Sequence, residues 1–156
     1  MTNRKLDFGD FILPFQVEGL GVRGRLVRME RTVRDIIGNG RYPDDVAILL
    51  ATTTALSAAL ASGLKYDGVF TLQAQGNGPV SLLLADMTSD GDMRGYAKYD
   101  ADALPGAENT GAMVPRLLGA GHLAFTVDQG PNTDRYQGIT EVSGGTLADC
   151  AQIFFR

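Results

Sequence analysis

Two runs of alternating apolar and polar residues open the chain. Phe11 to Val17 and Leu20 to Met29 read as strands around Glu18-Gly19. In the second, Leu20, Val22, Gly24 and Leu26 share one side, and Gly21, Arg23, Arg25 and Val27 the other. One face is apolar and the other cationic. The period then lengthens: Thr32 to Ile37 predicts a short helix ended by Gly38-Asn39-Gly40, and Pro43 opens a second helix with Asp44 and Asp45 in its first turn. Gly63 closes it. Between those ends, Val46 to Ala61 carries no charge on any side, and a helix apolar all round is expected to be buried all round. Leu49, Leu56 and Leu60 share a side, while alanine and threonine elsewhere permit close approach of neighbouring backbone.

After Asp67-Gly68 the pattern returns to period two. Val69 to Gln75, the turn Gly76-Asn77-Gly78-Pro79 and Val80 to Ala85 predict a hairpin, and the polar turn Thr88 to Asp92 leads to a strand at Met93 to Tyr99. Asp100 to Val114 is loop-like, rich in Ala, Gly and Asp around Pro105, with a helical turn around Pro115 to Leu118. His122 to Val127 and Tyr136 to Val142 predict two more strands flanking the turn-forming stretch Asp128 to Arg135. Phe70-Thr71 before Gly78-Pro79 and Phe125-Thr126 before Gly130-Pro131 echo one another, which a duplicated strand unit would explain. The last segment is helical, with Thr146 as N-cap and Leu147, Cys150, Ala151, Phe154 and Phe155 on one face. No Gly, Asn or Pro closes it, so the chain is expected to be part of a longer protein. The elements together predict one α+β domain over residues 1–156, with antiparallel sheets packed on a buried central helix from about Pro43 to Ser62.

Length and charge narrow the function classes. At 156 residues the chain can bury a core without staples, and its single cysteine cannot form an internal disulfide. Met1 to Asp10 lacks the apolar region of a signal peptide, so a reducing cytoplasm is expected. Val46 to Leu60 is shorter than a bilayer span and is interrupted by Thr52, Thr53, Thr54 and Ser57, so no membrane partner is expected. Net charge is −4, distributed unevenly: residues 1–41 hold eight Lys/Arg against five Asp/Glu, and residues 42–156 six against thirteen. Arg23, Arg25, Arg28, Arg31 and Arg34 could meet phosphates, but no aromatic is interleaved among them. A solvated strand and helix face explains them, and no nucleic-acid partner is expected.

Catalytic motifs are offered and withdrawn. Gly19-Leu20-Gly21-Val22-Arg23-Gly24 is a literal G-x-G-x-x-G, yet the alternation continues through Arg25 to Met29, where a dinucleotide fingerprint needs a helix, and no acidic residue ends a second parallel strand. Glycines in tight antiparallel strands account for it. One histidine and one cysteine cannot build a closed structural zinc site. Asp86, Asp90 and Asp92 could offer carboxylates to calcium, but EF-hand spacing and its terminal Glu are absent, and Ser89-Asp90-Gly91-Asp92 reads as turn chemistry. His122, next to Gly121, has no G-x-S-x-G serine to activate and reads as a strand-end hydrogen-bonding residue. Cys150 reads as a buried inert thiol, with a redox sensor as the alternative. No catalytic, cofactor-binding or metal-binding residue is assigned.

A further set of segments, in order, carries a resemblance: Gly19 to Val27, Tyr42-Pro43, Leu64-Lys65-Tyr66-Asp67-Gly68, Gln73-Ala74-Gln75-Gly76-Asn77-Gly78-Pro79, Met93-Arg94-Gly95 and Arg135-Tyr136-Gln137-Gly138-Ile139. From about Phe15 to Arg156 the chain resembles the 33-kDa heat-shock protein family, redox-regulated holdase chaperones of the bacterial cytoplasm. The resemblance implies a non-enzymatic core that presents apolar surface to unfolding client proteins, followed by a linker and a C-terminal zinc module. That module carries Cys-x-Cys and Cys-x-x-Cys, which hold zinc when reduced and pair when oxidised. None of those cysteines is in this sequence, and Cys150 is not one of them. Zinc is expected only in the module beyond Arg156. Which residues meet clients, and whether two copies pair, the residues leave open. A small-ligand or nucleotide-binding domain using the Gly-rich turns, or an interaction module for one fixed partner, are the other readings.

Overall fold

The computed structural model describes residues 9–106 and 111–155. Residues 1–8, on which the absence of a signal peptide was read, and 107–110 of the expected loop lie outside them. Two strands, β1 (Phe11–Val17) and β2 (Val22–Arg28), form a separate antiparallel ribbon. Helices α1 (Arg31–Gly40) and α2 (Asp44–Ala61) follow. Next come β3 (Val69–Gly76), β4 (Val80–Thr88) and β5 (Met93–Tyr99), a short helical turn at Ala101–Ala103, and α3 (Met113–Leu117). Strands β6 (Gly121–Asp128) and β7 (Tyr136–Glu141) and helix α4 (Leu147–Phe154) complete the chain. The five later strands form one antiparallel sheet in the order β5-β4-β3-β6-β7, giving the expected α+β architecture.

The sheet's core face follows from the alternation. Phe70, Leu72 and Ala74 of β3 stand beside Val127, Phe125 and Leu123 of β6, and Leu72 and Ala74 beside Ala85 and Leu83 of β4. All are buried, and α2 packs on them principally through β4. The Phe70-Thr71 and Phe125-Thr126 echo thus falls on neighbouring strands, with both rings on the core face and their centroids 6.5 Å apart. Buried hydroxyls on α2 are satisfied locally: Thr53 and Thr54 each donate to the carbonyl four residues back at 2.8 Å.

Burial of α2 is not complete. Ile48 is 52% exposed, and Thr52, Ala55 and Ala59 continue an open stripe at helical spacing. The sheet, α1, α4 and β2 cover the other sides, and small residues on the fourth leave little apolar area in water. By length and mean hydropathy (1.4 over 18 residues) α2 is also sufficient to cross a membrane, although its sequence looked too short and too interrupted; here it is the packed core helix.

Several boundaries shift, and β4 runs on to Thr88 rather than ending at Ala85. Leu20 lies in the turn, because Gly19 and Gly21 take φ of 79° and 64° and end the strand pairing at Val17–Val22. Helix α1 runs through Gly38-Asn39-Gly40 and closes at left-handed Arg41 (φ 50°), whose N–H reaches the Ile37 carbonyl at 3.1 Å. Gly40 serves packing: a Cβ there would lie 2.1 Å from the Tyr42 ring. Tyr42 in turn accepts from the Ala97 N–H at 3.2 Å and ties the helix junction to β5. The expected helical turn at Pro115 begins earlier, at Met113, since a proline is tolerated in a first turn whose N–H groups have no partner.

Helix α1 borrows its cap. Glu30, at the N-cap position, makes no side-chain capping bond. Asp10, ahead of β1, accepts from the N–H groups of Arg31 (3.0 Å) and Thr32 (2.8 Å), from that of Glu30 and from the Thr32 hydroxyl. Burial pushes the Asp10 carboxyl up, but the Thr32 hydroxyl and the three backbone donors together outweigh it and bring the group from 3.8 to about 2. The folded pKa lies below the unfolded one, so the stabilisation is fully present above 3.8 and is lost as pH falls toward 2. Asp10→Ala is expected to cost about 1 kcal/mol at neutral pH. The difference in thermal midpoint from the parent should shrink between about pH 4 and pH 2, and a pH-independent difference would refute this role.

Candidate functional site

The residues singled out for chemistry do not converge. Gly19 and Gly21 shape the ribbon turn, and Gly24 lies in β2 directly across from Phe15, whose ring occupies the space a Cβ would need. The strand continues past Gly24 to Arg28, so no helix starts at the third glycine to present N–H groups to a phosphate. His122 is the second residue of β6, on the face away from the core and exposed, with Glu141 of β7 as its register partner. Asp90 and Asp92 lie in the exposed β4–β5 turn. Asp86 lies beyond the expected strand end at Ala85 yet inside β4, 3% exposed, accepting from the Thr71 hydroxyl at 2.6 Å and from Arg94. Fifteen residues separate Asp86 from Thr71, so only the strand register brings them together. Among the described residues no group of three or more His, Cys, Asp or Glu could hold a metal ion.

Cys150 is buried in α4 and donates to the carbonyls of Ser143 (2.9 Å) and Thr146 (3.3 Å). Burial pushes the thiol's pKa up, so it stays protonated at neutral pH. Thr146 caps the helix as expected, in a reciprocal box: the Asp149 N–H reaches its hydroxyl at 3.1 Å, and the Asp149 carboxylate accepts from the Thr146 N–H at 3.1 Å. The arginines also fail to form one stripe. Arg25 turns back to the Gly24 carbonyl at 3.0 Å, and Arg28 and Arg34 reach Glu30 at 3.6 and 2.9 Å.

What the molecule does present is apolar surface, in two places. On the ribbon, Leu13, Phe15 and Val17 of β1 share a face with Val22, Gly24 and Leu26 of β2, as the register Leu13↔Leu26 and Val17↔Val22 requires. Their large side chains are 40–53% exposed, and Leu20 in the turn is 73% exposed. The sequence showed this alternation, and burial of the apolar side would be the ordinary outcome; instead β2 packs on α2 with Ile12, Arg25 and Val27 toward the more buried side.

The second place is a groove of about 600 Å³ between the end of α2, the sheet and the end of α4. Leu60, Leu64, Phe70, Phe125, Phe154 and Phe155 line it, and Lys65 is the one charged residue on its wall among the described residues. Phe125 and Phe154 stack with centroids 4.7 Å apart, and Phe155 meets Phe154 edge-on at 5.0 Å. Gly138 of β7 makes room: a Cβ there would stand 2.3 Å from the Phe154 ring. Tyr66 closes one side, donating to the Met87 carbonyl at 2.9 Å, with its pKa raised by burial. These aromatics lie far apart in sequence, and only the paired Phe154-Phe155 hinted at them. Exposed apolar area of this kind suits binding.

Comparison with known proteins agrees. A 33 kDa chaperonin of Caulobacter vibrioides is 42% identical over 99% of this chain, and one of Pseudomonas fluorescens is 36% identical over 94%. The chain spans about half the length of these relatives, 53% and 47% respectively. The crystal structure of the 33 kDa chaperonin (heat shock protein 33 homolog) of Thermotoga maritima shares the fold with a TM-score of 0.80, at 24% identity, over 92% of this chain and 49% of that one. The model of the Hsp33 protein family matches residues 10–156, and the chain belongs to that family.

Proposed function

We propose that this chain is the client-binding core of an ATP-independent holdase, a chaperone domain that captures unfolding proteins on exposed apolar surface in the bacterial cytoplasm. The carrying observation is the open ribbon face, whose large apolar side chains stand 40–53% exposed. Family membership supports a chaperone role and a non-enzymatic one. Redox control, in this reading, belongs to the full-length protein, through a zinc module that these residues do not supply. The groove favours a second reading, a small apolar ligand held against the phenylalanines, which would raise the thermal midpoint with the logarithm of its concentration once that exceeds its dissociation constant.

The test is light scattering of two unrelated, thermally unfolding clients without ATP. Scattering should fall steeply as the chain approaches a roughly equimolar ratio, with the same effect on both clients. Unchanged scattering at several-fold molar excess would sink the holdase reading. Suppression of one client alone would favour a fixed partner instead.

A further inference from the structure

We propose that the groove between α2, the sheet and α4 binds a straight-chain fatty acid, with the acyl chain against the phenylalanines and the carboxylate at Lys65. This rests on the reading of the groove as a ligand site and stands apart from the holdase reading. Its volume, about 600 Å³, lies within the range of small-molecule pockets. Among the described residues lining it, only Lys65, Tyr66 and Tyr136 carry a polar side-chain group. The Tyr66 hydroxyl is already committed to the Met87 carbonyl.

The way α2 ends leaves the cation free. All four carbonyls of the last helical turn are taken before the chain reaches Lys65. The Ser62 N–H donates to Ala58 at 3.0 Å and its hydroxyl to Ala59 at 3.0 Å, the Gly63 N–H to Leu60 at 3.2 Å and the Leu64 N–H to Ala61 at 3.0 Å. The helix end therefore offers Lys65 no acceptor. Among the described residues neither its ammonium, nor its backbone N–H, nor that of Tyr66 has a hydrogen-bond or ion-pair partner. An uncommitted cation and two uncommitted N–H groups, all on residues of one apolar groove, complement a carboxylate.

The rest of the wall selects the tail. A peptide laid in the groove would bring an amide with every residue, and the lining side chains leave only Tyr136 to pair with them. An acyl chain brings none. Phe125, Phe154 and Phe155, with neighbouring centroids 4.7 and 5.0 Å apart, form a continuous hydrocarbon surface for its methylenes.

Calorimetric titration of the chain with decanoate, decanol and decylammonium separates head from tail. Decanoate should bind one to one, about tenfold tighter than decanol and tighter still than decylammonium. Octanoate, two methylenes shorter, should bind up to about fifteenfold more weakly than decanoate. Lys65→Gln should weaken decanoate about tenfold and leave decanol unchanged, and Lys65→Arg should keep most of the preference. Phe155→Ser should weaken both ligands by at least about threefold. Lys65 and Phe155 are exposed, so these variants should fold, and matching near-ultraviolet dichroism would show it.

Equal affinity for the three heads, decanoate binding indifferent to Lys65→Gln or to Phe155→Ser, or a decanoate dissociation constant above about 1 mM would each overturn the proposal. So would displacement of decanoate by an end-capped apolar peptide at equal concentration, which would assign the groove to clients. A Phe155→Ser variant that turns a sedimenting dimer into a monomer, with decanoate inert on the parent, would assign it to a second copy. Failure of the scattering assay leaves this titration to decide on its own, and failure here leaves the holdase reading to that assay.

Discussion

Gly76→Ala is expected to destabilise the domain by about 3 kcal/mol or more, a large effect for one methyl group. A Cβ at Gly76 would lie 2.1 Å from the Leu118 carbonyl oxygen, and a backbone group cannot swing aside as a side chain can. The same oxygen accepts from the Gly78 N–H at 2.8 Å. Beside it, the Asn77 N–H reaches the Ala120 carbonyl at 3.0 Å, and the Asn77 side chain accepts from the Ala120 N–H at 2.9 Å. The β3–β4 turn is therefore fastened to the α3–β6 connection, and displacing Leu118 breaks that fastening. For a domain of this length the loss corresponds to a fall in thermal midpoint of roughly 6–12 °C. Calorimetry on Gly76→Ala checks this, and a change within about 2 °C would show that the contact relaxes at little cost.

Cys150 should be strongly protected from thiol reagents in the native state. It is fully buried, its pKa is raised by burial, and it donates to two carbonyls, so attack requires α4 to lift from the sheet. Labelling in native buffer is expected to be at least about a hundredfold slower than in denaturant, corresponding to an opening free energy near 3 kcal/mol or above. Loosening α4 by a larger residue at Gly138, against which Phe154 packs, should accelerate it. Native and denatured rates within about a factor of three would mean that the thiol is accessible, and would restore the sensor reading.

The strands were legible because the five-stranded sheet has one buried face, and alternation such as Phe70, Leu72, Ala74 records it directly. The turn glycines and the Thr146 cap were legible for the same reason: the residue type is the local requirement. The end of α1 was misread because Gly38-Asn39-Gly40 looks like a stop, whereas Gly40 answers to the Tyr42 ring and the left-handed position falls on Arg41. Nothing local encodes that. The candidate site was half legible. Leu20, Val22 and Leu26 announced an apolar side, but whether a strand's apolar side is covered depends on elements packed over it from elsewhere in the chain. The groove and the Asp86 pairing were illegible for a related reason, since their partners meet only through register.

The cap that Asp10 lends to α1 has a consequence for how the molecule opens. Its bonds close a loop of about twenty residues that contains the whole β1–β2 ribbon, so the start of the helix and the ribbon share one latch. A two-stranded ribbon is marginal alone, and this one gains its persistence from that latch and from the side resting on α2. Amide hydrogens of the ribbon and of the first turn of α1 would then exchange together, as one cooperative unit distinct from the five-stranded sheet. A surface mounted in this way can detach as a piece while the core stays folded behind it.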